Sequence, residues 1–114
     1  MTLLDRVRKF DYNCAHYAAE VWERETGQDI RHVLGGFFAA KGGRRVDAPA
    51  VLTFRRIPAP VEPCLVLLRH GKATPHVGVF LRGRVQHLTH VGPIRQPLDV
   101  AKIGYRSVRF YAPR

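Results

Sequence analysis

Acidic residues are scarce in this chain. Nine Asp plus Glu stand against nineteen Lys plus Arg, a formal net charge of +10 with a pI near 10.6. Such a surface attracts polyanions, whether nucleic acid, anionic envelope polymers or an acidic protein. The basic residues are dispersed, however, and form no recognition-helix, zinc-finger or RNP pattern, which argues against sequence-specific nucleic-acid binding. Also missing is any apolar run near the ~20 residues of a membrane helix, so no membrane span is expected. The opening MTLLDRVRKF interleaves charge with leucine and holds no secretory h-region, predicting synthesis in the cytoplasm without a signal peptide. Two cysteines are too few for a disulfide scaffold. The Cys14-x-His16 pair lacks structural-zinc spacing and has no second close cysteine pair, so no metal or other cofactor is expected. Internal repeats and low-complexity segments are absent as well.

What is present suits one folded domain over residues 1–114. Hydrophobic content is 46% and charged content 25%, both ordinary for a globular fold. TLLDRVRKF can form a short helix. Asn13 is a good N-cap, and Cys14, Tyr17, Ala18, Val21 and Trp22 then follow the i, i+3, i+4, i+7, i+8 spacing of a buried helical face. Gly27 suits the C′ position of a helix over about Cys14 to Thr26. IRHVLGGFFAA suggests a second helix, weakened by Gly35 and Gly36 at roughly 1 kcal/mol each. KGGRR reads as a loop. DAPAVLTF offers Asp47 as N-cap of a short third helix, and RIPAPVEP reads as an extended connector. After Pro63 the pattern turns to four strands: CLVLLR, HVGVFL, VQHLTHV and YRSVRFYA. The fold class expected is therefore α+β, with N-terminal helices packed on a C-terminal, mostly antiparallel sheet.

Three of six histidines fall in one stretch, TPHVGVFLRGRVQHLTH. Alternation puts His76, Gly78 and Phe80 on one strand face and Val77, Val79 and Leu81 on the other. If Arg82-Gly83 is a two-residue turn, Leu81 opposes Arg84 and Gly78 opposes His87. His87 then shares the face of His76, glycine leaves room for its ring, and His90 falls on the opposite face. With a three-residue loop His90 comes across from His76 instead. Arginine at the first turn position suits a primed turn imperfectly, so both registers stay open.

Cys14 opens a helix, where the positive end of the helix dipole favours a thiolate. An imidazole beside it could take the thiol proton and return it to a leaving amine. A third polar group must hold that imidazole, and the free N–H groups of the first helical turn could bind an oxyanion. Cys14, His76 and His87 fill these roles in turn, and a bell-shaped rate profile around neutrality is expected. The bland alternative is a Cys14 that is only a small residue under the helix start. Cys64, inside the apolar PCLVLL, reads as a buried small hydrophobe.

These residues resemble the NlpC-type papain-like cysteine peptidases. The family pattern Y-D-C-S-G-L-V is similar to Y-N-C-A-H-Y-A here, and P-G-D-L-V-F-F to PCLVLL. The family hairpin H-V-G-I-Y-L-G-x-G-R-F-I-H is similar to HVGVFLRGRVQH with one turn residue removed. QPLDV…YRSVRFYA is similar to its closing segment, so the likeness spans nearly the whole chain. NCAH replaces the family's D-C-S-G, which builds the first helical turn differently. The resemblance implies a papain-like fold, with Cys14 as nucleophile, His76 as base and His87 as the third residue. His90 is the alternative third residue, and Tyr12 stands in for an upstream tyrosine that joins Cys14 in oxyanion and substrate contacts. It also implies hydrolysis of amide bonds in peptidoglycan stem peptides. A short basic domain of this kind is most similar to the phage tail-tip branch, implying a place in the virion beside neighbouring tail proteins. Two other functions compete: a tail-tip adaptor that keeps the fold without the chemistry, and a basic nucleic-acid-binding module.

Overall fold

The computed structural model describes residues 14–31, 34, 54–70 and 76–114. The expected N-terminal helix, Tyr12, Asn13, KGGRR and most of DAPAVLTF lie outside them.

Helix α1 spans Cys14–Thr26 and buries Ala15, Ala18, Ala19, Val21 and Trp22, the stripe anticipated from spacing. Thirteen residues are marginal as an isolated helix, so this face supplies the stability. Trp22 is 1% exposed, meets Phe54 edge to face at 5.5 Å and donates its indole N–H to Gln28 at 3.0 Å. Gly27 closes the helix at φ 77° with its N–H on the Glu23 carbonyl, the left-handed cap glycine allows. Of the second expected helix, Ile30, Arg31 and Leu34 are described. Leu34 N–H bonds the Ile30 carbonyl at 3.0 Å, one helical turn, and both side chains are buried.

Six strands follow: β1 (Phe54–Ile57), β2 (Cys64–Arg69), β3 (His76–Leu81), β4 (Arg84–Thr89), β5 (Gly92–Pro97) and β6 (Ser107–Pro113). A one-turn helix α2 (Leu98–Ala101) separates β5 from β6. The sheet order is β1-β6-β2-β3-β4-β5 and every pairing is antiparallel. The fold class is thus α+β and, among the described residues, one long helix lies against a six-stranded antiparallel sheet.

Three expectations need correcting. The sheet has six strands rather than four, because β1 runs into the connector whose first proline is Pro58 and β5 is broken by prolines of its own. Both are edge strands, and β5 carries Pro93 and Pro97, which an edge tolerates since a proline there forfeits no interior ladder bond. Phe54 belongs to β1 rather than the end of a third helix, and Arg56 and Ile57 of the supposed connector pair with Tyr111 and Phe110. The helices also do not all precede the strands, since α2 comes after β5.

Alternation divides the core between the two sheet faces. On the α1 side Leu65, Leu67, Val77 and Val79 pack with Ala15, Ala18, Val21 and Trp22. On the other, Val66, Leu68 and Val85 pack with Ala101, Leu98, Tyr105, Val108 and Phe110. Full burial of each Leu or Val contributes roughly 1.5–3 kcal/mol, so both faces hold the sheet.

Candidate active site

The β3–β4 turn settles the hairpin register. Leu81 pairs with Arg84 and Gly78 with His87, the two-residue count. Arg82 and Gly83 take φ of 52° and 75°, both positive as a type I′ turn requires. Arginine is held in this unfavoured conformation by local contacts: its backbone N–H bonds the Glu62 carboxylate and its guanidinium meets Glu25 at 3.5 Å. Gly78 is obligatory for a different reason. A Cβ there would stand 2.7 Å from Val85 Cγ1 and 3.1 Å from His87 Cβ, so only glycine admits His87 opposite.

That register brings two imidazoles together. His76 Nε2 lies 2.7 Å from His87 Nδ1, with the rings at 68°. His87 Nε2 lies 2.8 Å from the Gln96 amide oxygen on β5, so the contacts run in series from β3 across β4 to β5. His87 is 4% exposed, and such burial requires its polar atoms to be satisfied. Burial, reinforced by His87 and His70, pushes His76 down to about 4. Burial lowers His87 too, and its bond to Gln96 partly offsets this. Both imidazoles are therefore neutral at neutral pH.

Cys14 sits at the first turn of α1, half-buried. No acidic residue occupies that turn, so the helix dipole is not neutralised locally. Its sulfur draws backbone hydrogen bonds from Val77, Ala15 and its own residue. Val77 is open to this contact because the β3–β4 ladder stops at Gly78↔His87, although β4 pairs with β5 as far as Thr89. The sulfur thus meets the strand one residue from His76. These bonds favour the thiolate, but burial outweighs them and the thiol lies above its ordinary value. The expected lowering by the helix terminus is therefore reversed.

Tyr105 ties the two halves together. Its ring is parallel to that of His76 within 7° at 6.2 Å and stacks on His70 at 4.2 Å. Burial and the charge of a Cys14 thiolate both raise its phenol. Neither Tyr105 nor Gln96 was singled out by spacing. Tyr105 lies just before β6, and Gln96 lies on the proline-flanked strand. Only knowledge of β5 could have exposed Gln96, which sits opposite Val85 on the face shared with His87.

The anticipated residues separate clearly. His76 and His87 are joined, and Cys14 contacts the backbone beside His76. His90 lies exposed in the β4–β5 turn, away from the pair. Tyr12 lies outside the described residues. Cys64 is fully buried and its thiol is pushed up to about 11 by that burial. Among the described residues no three His, Cys, Asp or Glu side chains gather as a metal site, and no helix is long and apolar enough to cross a membrane. No family model, curated protein or solved structure matches this chain.

Proposed function

We propose that this chain is a papain-like, NlpC-type cysteine peptidase of a phage tail tip that hydrolyses amide bonds in peptidoglycan stem peptides. The observation carrying the reading is the 2.7 Å His76–His87 contact on the strand whose Val77 backbone holds the Cys14 sulfur. In this mechanism His76 Nδ1 accepts the thiol proton as sulfur attacks the carbonyl carbon. Backbone N–H groups of the first α1 turn stabilise the oxyanion. The His76 imidazolium gives its proton to the departing amine, leaving a thioester that water hydrolyses.

Because thiol and imidazole are both neutral at rest, His76 acts as a general base rather than as half of a preformed ion pair. Its value near 4 puts the acid limb of the rate profile well below neutrality, and the raised thiol puts the alkaline limb high. A broad plateau replaces the bell centred on neutrality. An acid limb near 6.5 would contradict this placement of His76.

The test is wall clearing. Purified protein solubilises peptidoglycan and Cys14→Ala does not; equal clearing by both removes Cys14 as nucleophile. The raised thiol also favours a second reading, a tail-tip adaptor that retains the fold without the chemistry. In that case Cys14→Ala phage assemble and infect normally.

A further inference from the structure

We infer that Gln96 is a positioning residue whose amide oxygen fixes the tautomers of both histidines, leaving His76 Nδ1 as a bare acceptor. The tautomers themselves are independent of the peptidase reading; their catalytic consequence rests on it.

Hydrogen-bond roles propagate along the series. Gln96 Oε1 only accepts, so the 2.8 Å contact requires a proton on His87 Nε2. A neutral imidazole carries one proton, so His87 Nδ1 is an acceptor. The 2.7 Å contact then requires a proton on His76 Nε2, and His76 Nδ1 holds a free lone pair. Rotating the Gln96 amide by 180° reverses every step. Its NH2 would donate to His87 Nε2, His87 Nδ1–H would donate to His76 Nε2, and the only His76 proton would sit on Nδ1. In that state the imidazole has no lone pair left to take a thiol proton.

The same orientation serves the charged intermediate. When His76 gains the thiol proton at Nδ1, its Nε2–H still donates to His87 Nδ1, and His87 Nε2–H to Gln96. No proton moves beyond His76, no group rotates, and the positive charge faces an acceptor already in place. An amide suits this end of the series because it accepts without bringing a charge of its own.

The experiment is long-range proton–nitrogen NMR of 15N-histidine-labelled full-length protein at neutral pH, with wall clearing measured in parallel. Wild type is expected to show His76 and His87 both protonated at Nε2 and bare at Nδ1. A proton on His76 Nδ1 overturns the inference without need of any variant. Gln96→Leu is expected to mix the tautomers and lower kcat about tenfold at unchanged KM. Gln96→Glu, which keeps an acceptor, restores both. Unchanged tautomers in Gln96→Leu, or changed tautomers with unchanged kcat, overturn the role. Wild type with the stated tautomers but no wall hydrolysis keeps the tautomer assignment and removes the peptidase reading instead.

Discussion

Cys14 and Cys64 carry the same thiol, and burial raises both. Their surroundings nevertheless give them opposite capacities. Cys64 is in a strand interior, opposite Phe80 and packed with Ile57 and Ala112, where its sulfur is simply volume. Cys14 opens a helix, meets a released strand backbone and lies one residue along β3 from a neutral base. Under the proposed mechanism, reactivity comes from what surrounds a thiol during the reaction more than from its resting ionisation.

Four measurements put that contrast at risk. The largest effect is expected for Cys14→Ala, with wall hydrolysis falling ~10³-fold or more while Cys64→Ala keeps its rate. Comparable losses in both would dissolve the distinction.

The second concerns acid. The unfolded chain protonates His76 below its ordinary 6.5, whereas the native residue stays neutral to about 4. The unfolded state therefore binds more protons in that window, and stability falls as pH drops through it, by about 2–3 kcal/mol. Urea unfolding at pH 7 and pH 4.5 measures the loss. His76→Gln should flatten that dependence and Cys64→Ala should leave it intact.

Third, Gly78→Ala forces a methyl against Val85 and His87 and should cost about 1–3 kcal/mol. It should also lower activity by parting His76 from His87. Cys64→Ala is smaller, about 1–2 kcal/mol from lost burial and a small cavity, and thermal melts separate the two. Last, iodoacetamide should label Cys14 increasingly as pH rises, and Cys64 only on unfolding. Equal labelling of native protein would show that burial does not tell them apart.

The sequence disclosed the half of this molecule governed by periodicity. The α1 stripe, its Gly27 cap and the alternation of β2 and β3 follow from spacing, as does the candidate placement of His76 with His87. What it concealed were the edges. Phe54–Ile57 straddles an expected helix end and the connector whose first proline is Pro58, and GPIRQP is broken by its own Pro93 and Pro97; both become strands only when a neighbour offers a ladder. Gln96 was lost along with β5. The Cys14 thiol departs from the sequence expectation because the helix-terminus effect is local, whereas the opposing desolvation depends on strands distant in the chain.

The two-residue turn at Arg82-Gly83 has a consequence for how this domain can vary. Surface loops ordinarily absorb insertions without harm, because their length carries no information for the elements they join. Here length is the information. One added residue slips β4 by one position, carries His87 to the α1 side of the sheet and parts it from both His76 and Gln96. The candidate site could thus be erased by an insertion that changes no residue within it. Comparison of related chains should find this loop constant in length even where its residues differ.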